Sequence, residues 1–93
     1  MSRLPDSRIR SKLRELNGWE FDSNTIKKTF TFSRYMDGIS FVMELAKKAE
    51  AADHHPDLVV GWCRVDVSFT SHDKGGVTDQ CLYMAKETDK IKK

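Results

Sequence analysis

Three histidines are the residues of this sequence best suited to chemistry, and they lie in two short segments. His54 and His55 are adjacent after a helix-like stretch, and His72 follows a strand-like one. Histidine titrates near pH 6.5, so at neutral pH the imidazole can donate or accept a proton. The acidic residues that flank the histidines are Glu50, Asp53, Asp57 and Asp73. These residue types favour proton transfer at a substrate.

Strand pairing is expected to bring the three histidines together. A hairpin whose turn is centred between Cys63 and Arg64 would pair the third and fourth strands so that His72 lies opposite His55. The imidazoles would then meet at one edge of the sheet. A purely structural role stays open as the alternative, because surface histidines beside aspartates are common and a histidine before a proline can simply mark the end of a helix.

A metal centre is the second functional interpretation, since three histidines with a carboxylate can hold zinc. However, the adjacent His54 and His55 would need diverging side chains, and the sequence has neither histidines at i and i+4 nor an H-E-x-x-H motif. Proton transfer is therefore favoured, and neither a metal nor a cofactor is predicted. Gly75-Gly76 could bind an anion before a helix, although a plain turn is the stronger interpretation. Cys63 is interpreted as a turn or core thiol.

Hydrophobic periodicity predicts seven elements that would position these residues. Ser33 and Thr78 are candidate N-caps of the second and third helices, and His55-Pro56 is expected to end the second helix. The predicted helices cover residues 2–16, 34–52 and 79–91, and the predicted strands cover residues 19–21, 25–32, 58–62 and 65–72.

The resulting order, α-β-β-α-β-β-α, predicts an α+β fold. Two hairpins separated by a helix favour a four-stranded antiparallel sheet covered by helices on one face. Val65, Val67 and Phe69 are expected to face the helices. A length of 93 residues leaves room for one small domain, residues 1–93.

Composition argues against several classes of protein. Sixteen basic and fourteen acidic residues give a net charge of +2, without the one-signed clusters of a nucleic-acid or polybasic membrane binder. No apolar run approaches the ~20 residues of a membrane helix, and two cysteines cannot form a disulfide framework. A cytoplasmic protein is expected. The arginine-rich start leaves a mitochondrial location as the alternative, although Asp6 and Glu15 count against a transit peptide.

The sequence resembles the pterin-4a-carbinolamine dehydratase family over residues 13–91. From Glu50 to His72 it reproduces the family's motif, which is an acidic residue, three positions, His-His-Pro, five positions, an aromatic residue, nine positions and a histidine. Further matching segments are Gly18-Trp19, Phe30-Thr31-Phe32, Ser71-His72-Asp73 and Gly75-Gly76-Val77-Thr78.

This resemblance implies dehydration of a 4a-hydroxytetrahydropterin (pterin-4a-carbinolamine) to the quinonoid dihydropterin and water, a step in tetrahydrobiopterin recycling. It implies a catalytic set of His54, His72 and His55, in which the first two transfer protons and His55 binds and orients the pterin. The other pocket residues that it implies are Glu50, Asp53, Pro56, Trp62, Ser71 and Asp73. For Glu50 and Asp53 a solvated role stays open, and Trp62 has the alternative of being a core aromatic at the hairpin end.

One position departs from the family. The family usually carries aspartate three positions after the threonine or serine that opens the last helix, and here that position is Cys81. A thiol cannot supply the charge of a carboxylate. The departure keeps a second class of function open, a non-catalytic dimerisation or interaction module of the same fold. The intact set of three histidines favours the enzyme.

Self-association is also expected. On the outward face of the predicted sheet, Thr29, Thr31, Ser68 and Thr70 provide few charges, and both sheet edges expose open backbone groups. Pairing of edges across a two-fold axis would satisfy those groups. The resemblance likewise implies a homodimer or homotetramer. A small-molecule pterin is the other expected partner, with no membrane and no direct nucleic acid binding.

Overall fold

The computed structural model of the protein describes residues 2–92, so residues 1 and 93 of the predicted domain lie outside the described residues. The elements follow the order that the sequence predicts. The helices are α1 (Asp6–Leu13), α2 (Tyr35–Ala52) and α3 (Asp79–Ile91), and the strands are β1 (Glu20–Asp22), β2 (Thr25–Thr31), β3 (Asp57–Gly61) and β4 (Arg64–Phe69). None of these helices is long and apolar enough to span a lipid bilayer.

The four strands form one antiparallel sheet in the order β1-β2-β4-β3. β2 and β4 are therefore central, and β1 and β3 are the two edges. Along β4, Val65, Val67 and Phe69 are buried, whereas Asp66 and Ser68 between them are partly exposed. This alternation gives the sheet one apolar face, which the helices cover. The predicted α+β fold is confirmed.

Helix α2 packs on the sheet through one stripe of residues. Its buried positions, Gly38, Phe41, Leu45 and Ala49, recur at the spacing of three and four that defines one helix face. A Cβ atom built on Gly38 would lie 3.3 Å from the ring of Phe32, closer than an ordinary carbon contact. The absence of a side chain at Gly38 therefore lets the helix approach the chain just after β2.

An aspartate of α3 ties the first hairpin to the last helix. Asp89 accepts hydrogen bonds from Trp19 Nε1 at 3.0 Å and from Lys28 Nζ at 2.8 Å. Trp19 is buried, so this bond satisfies an indole N–H that would otherwise lack a partner. The sequence predicts Trp19 as the first residue of this strand, but β1 begins one residue later, at Glu20.

Two predicted helix starts are wrong, since α1 begins at Asp6 instead of Ser2 and α2 begins at Tyr35 instead of Arg34. α1 begins after Pro5, which is extended (ψ 151°), because the backbone N–H of Leu4 donates to the carbonyl of Val77 at 2.8 Å and holds the preceding segment outside the helix. The extended N-cap residue of α2 is Arg34 rather than Ser33. Neither start carries a side-chain capping bond.

The β3–β4 hairpin has a different register from the predicted one. Gly61 pairs with Arg64, so the turn consists of Trp62 and Cys63 instead of being centred after Cys63. Cys63 has a φ of 63°, a left-handed conformation that few residues other than glycine, asparagine and aspartate adopt. The sequence therefore carries no turn signal at this point.

His72 does not lie on β4, and its predicted pairing opposite His55 is wrong. β4 ends at Phe69, and Ser71 instead forms an isolated bridge with Gly76, because the chain folds back on itself between them. His72 sits in the resulting loop. This loop lies at the same end of the hairpin as the start of β3, so the two histidine segments still meet.

Candidate active site

The way in which α2 ends gives two adjacent histidines different surroundings. Asp53 adopts the left-handed conformation (φ 51°, ψ 44°), and the backbone N–H of His54 donates back to the carbonyl of Ala49 at 3.1 Å. This left-handed residue ends the helix before Pro56 can. After it, His54 is half-buried and His55 is exposed, which gives the two imidazoles different environments.

His54 packs between β4 and α3. Its ring stacks on Phe69, with 6.0 Å between the ring centroids and 14° between the ring planes. Its Nε2 atom lies 3.3 Å from Cys81 Sγ. Burial disfavours the charged imidazole and lowers the pKa of His54 below its ordinary value. The imidazole is therefore mostly neutral at pH 7.

Four nearby charged or titratable residues also act on the pKa of His54, each by less than burial does. In order of size, Asp73 raises the pKa, His55 lowers it, Asp53 raises it and His72 lowers it. These electrostatic effects fall off with distance. The end of α2 and the loop after β4 thus bring His55 and His72 within electrostatic range of His54.

The other two histidines are exposed, and each lies beside one carboxylate. His55 Nε2 is hydrogen-bonded to Glu50 Oε2. His72 Nε2 lies 3.8 Å from Asp57 Oδ2, and both of these side chains are 78% exposed. This contact joins the loop after β4 to the start of β3. Both imidazoles remain accessible to a small molecule in solution.

A buried polar cluster lies next to His54. Ser71 Oγ is 2.9 Å from Thr78 Oγ1 and 3.5 Å from Cys81 Sγ, and Thr78 Oγ1 is 3.7 Å from the same sulfur. All three residues are buried. Thr78 occupies the predicted N-cap position of α3, but its hydroxyl makes no capping bond, because it is engaged in this cluster.

The remaining predicted pocket residues occupy varied positions. Pro56 is half-buried directly after His55, Asp53 and Asp73 are exposed near His54, and Trp62 is 81% exposed in the β3–β4 turn. The alternative that Trp62 is a core aromatic is therefore wrong. Trp62 lies at the opposite end of β3 from Pro56, so a single chain does not bring it to the histidines.

The sequence did not single out two residues that contact the site. Phe69 is predicted only as a core position and Thr78 only as an N-cap. Their roles depend on tertiary contacts, namely the stacking on His54 and the hydroxyl cluster around Cys81. For Phe69, the sequence position could have indicated the contact, because Phe69 is the last inward-facing residue of β4 before the loop that carries His72.

The histidines do not form a metal-ligand set in the described part of the chain. Among residues 2–92, no group of three or more His, Cys, Asp or Glu side chains could hold a metal ion. Prolonged dialysis against a chelator should therefore leave activity and melting temperature unchanged. Both are measured before and after dialysis and after zinc is added back. Loss that zinc restores would establish the metal interpretation instead.

A separate depression of about 490 Å³ lies on the sheet face that the helices leave uncovered. It includes none of the predicted site residues. Its lining carries charges of both signs and comprises Gly18, Glu20, Lys27, Lys28, Thr29, Val59, Asp66 and Ser68.

Comparison with known proteins finds relatives that match along almost the whole chain. The profile of the family described as "Pterin 4 alpha carbinolamine dehydratase" matches residues 2–91. A protein of Mycolicibacterium vanbaalenii named "Putative pterin-4-alpha-carbinolamine dehydratase" is 38% identical over 91 residues, which cover 98% of each chain. A protein of the same name from a Roseiflexus species is 41% identical over 90 residues, which cover 97% of each chain.

Solved structures share the fold. The crystal structure of a "transcriptional coactivator/pterin dehydratase" from Brucella melitensis has a TM-score of 0.93 and 33% identity, and the match covers 97% of this chain and 98% of that one. A pterin dehydratase-like protein identified as a RuBisCO assembly factor in the alpha-carboxysome has a TM-score of 0.66 over 78% of this chain and 84% of its own. At 19% identity, that second likeness shows the fold alone.

Proposed function

Because the chain belongs to the pterin-4-alpha-carbinolamine dehydratase family, we propose that it is a hydro-lyase that converts a 4a-hydroxytetrahydropterin to the quinonoid dihydropterin and water. The proposed setting is tetrahydrobiopterin recycling in the cytoplasm. The observation that carries the proposal is the grouping of His55 and His72 within electrostatic range of His54. A proton-transfer reaction at a small molecule needs such a grouping.

The chemistry of a carbinolamine suits this set of residues. Hydroxyl and nitrogen share one carbon, so the nitrogen lone pair can expel the hydroxyl once that oxygen receives a proton, and the nitrogen then gives up its own proton. We assign these two proton transfers to His54 and His72. His55, hydrogen-bonded to Glu50, is assigned to binding and orienting the pterin ring. No step requires a covalent nucleophile.

The proposal is tested by the reaction itself. Purified protein added to a hydroxylase reaction should speed dehydration of the carbinolamine that the hydroxylase releases, in proportion to the protein concentration. The decay of carbinolamine absorbance measures the rate, and heat-denatured protein is the control. A rate equal to the uncatalysed one at every protein concentration would contradict the proposal.

A non-catalytic interaction module is the second candidate function. Two observations favour it, the thiol of Cys81 where the family usually has aspartate, and the likeness to the Brucella "transcriptional coactivator/pterin dehydratase". The dehydration assay separates the two candidates, because an interaction module would not speed the reaction. An interaction module also has no need of the three histidines. Their presence in this chain supports the enzyme.

We also propose self-association through β3. This edge strand exposes Val59 and Val60. The first and last residues of the other edge strand, Glu20 and Asp22, are instead charged and exposed. Charges protect an edge strand from pairing, and an apolar edge invites it. Antiparallel pairing centred on Val59 would place Trp62 beside Pro56 of the partner subunit. In that arrangement Trp62 can wall a pocket that a single chain leaves open.

Light scattering at micromolar concentration should therefore show a homodimer or homotetramer. A double variant, Val59→Lys with Val60→Lys, should shift the mass towards that of one chain, 10.7 kDa, because lysines on an edge strand oppose pairing. Glu20→Lys on β1 is the matched control and should leave the mass unchanged. A wild-type protein with the mass of a single chain would refute the assembly.

A further inference from the structure

The hydrogen bonds around Cys81 join four side chains, and their lengths restrict which atom can donate in each of them. Ser71 and Thr78 each have one hydroxyl proton and Cys81 has one thiol proton. The three shortest contacts in the group join Thr78 to Ser71 at 2.9 Å, Cys81 to His54 at 3.3 Å and Ser71 to Cys81 at 3.5 Å. The longest, between Thr78 and Cys81, is 3.7 Å. Buried donors need acceptors, so the assignment must give each proton a partner.

Only one direction does this over the three shortest contacts. Thr78 donates to Ser71, Ser71 donates to the sulfur of Cys81, and the thiol donates to Nε2 of His54. In the reverse direction, Nε2–H donates to the sulfur and the thiol to Ser71, which leaves the hydroxyl of Thr78 with the 3.7 Å contact alone. The sulfur would also have to accept an imidazole N–H, and a thiol sulfur is a weak acceptor.

We propose that Cys81 is a positioning residue that fixes the neutral imidazole of His54 in the tautomer with its proton on Nδ1. Nε2 is occupied by the thiol, so Nδ1–H is the group that His54 offers to a ligand. Under the proposed function, on which this consequence rests, His54 passes its Nδ1 proton to the departing hydroxyl oxygen while the thiol proton of Cys81 moves to Nε2, so that the imidazole stays neutral. The thiolate that remains regains a proton from solvent when His72 releases the proton it has accepted. The task of accepting the nitrogen proton then falls to His72.

The groups that face His54 from every side are consistent with this assignment. Its own segment contributes Asp53 and His55, the loop after β4 contributes His72 and Asp73, and α3 contributes the thiol of Cys81. An aspartate at position 81 would act in the opposite way. Its carboxylate would accept a hydrogen bond from Nε2–H. This would favour the tautomer with its proton on Nε2 and would stabilise the charged imidazole.

The tautomer can be measured without substrate by ¹⁵N NMR of the imidazole nitrogens across a pH titration. The His54 signals are assigned by comparison with His55→Gln and His72→Gln. Above its titration midpoint, wild-type His54 should carry its proton on Nδ1. Cys81→Ser retains a donor and should keep that tautomer. Cys81→Asp should move the proton to Nε2 and raise the midpoint by about 1 pH unit or more. Cys63→Ser, at the other end of the hairpin, is the control and should change neither.

A wild-type His54 whose neutral form carries its proton on Nε2 would overturn the inference. So would a folded Cys81→Asp protein with the wild-type tautomer and midpoint. The wild-type measurement decides the matter even if the aspartate variant does not fold. Because neither readout depends on turnover, an inactive protein with the Nδ1–H tautomer would refute the proposed dehydratase and leave the inference standing.

Discussion

Replacing His54 or His72 by alanine should lower the turnover number for carbinolamine dehydration by about 10²-fold or more in each case. Each variant removes a group that transfers one of the two protons, and water alone is a poor substitute in a positioned site. Stopped-flow decay of the carbinolamine measures the effect. Neither side chain is part of the buried apolar core, so both variants should remain folded.

The matched variant for this prediction is His55→Ala. His55 is exposed and hydrogen-bonded to Glu50, and its assigned role is to bind and orient the pterin. Its loss should therefore raise KM while the turnover number changes much less. A His54→Ala, His72→Ala double variant with near-normal turnover would remove the basis of the catalytic assignment. Equal losses of turnover in all three single variants would contradict the division of roles.

Most of the fold could be predicted because it follows from periodicity. The alternation of Val65, Val67 and Phe69 and the helical spacing of Phe41, Leu45 and Ala49 identify the buried faces, and all six residues are buried. Each of these patterns is local in the sequence. The order of elements and the antiparallel sheet follow from them, since two hairpins joined by a helix have few other ways to bury their apolar faces.

The register of the second hairpin could not be predicted in this way. Trp62 and Cys63 form the turn, and Cys63 takes a positive φ without the asparagine or glycine that usually marks such a position. The predicted pairing of His72 with His55 fails for this reason and because β4 ends at Phe69, before His72. The histidines meet nevertheless, because the contact between His72 and Asp57 joins the two segments.

The departure at Cys81 was visible in the sequence, but its consequence was not. The sequence shows that a carboxylate is missing there. Only the packing of α3 against the end of α2 shows that the thiol reaches Nε2 of His54. The hydrogen bonds of the Ser71 and Thr78 hydroxyls in the buried cluster could not be predicted either. Serine in a loop and threonine at a helix start are ordinary turn and cap residues.

Phe69→Ala should lower the free energy of unfolding by about 3–5 kcal/mol, the range for removing a large buried aromatic side chain. Phe69 has no exposed surface, and its ring lies 6.0 Å from those of both Trp19 and His54. A folded domain has only about 5–15 kcal/mol in total. The melting temperature should therefore fall by roughly 10 °C or more, as measured by calorimetry.

Phe69→Leu separates the stability of the fold from the environment of the site. Leucine keeps most of the buried volume, so the loss should be smaller than for alanine, at about 1–2 kcal/mol. It nevertheless removes the flat ring on which His54 stacks. Turnover should therefore fall more than the modest loss of stability explains, because His54 loses the surface that fixes its orientation. Met43→Ala, at a largely exposed position of α2, is the control and should change stability by less than about 0.5 kcal/mol. A leucine variant with wild-type turnover would show that His54 is oriented by Cys81 alone.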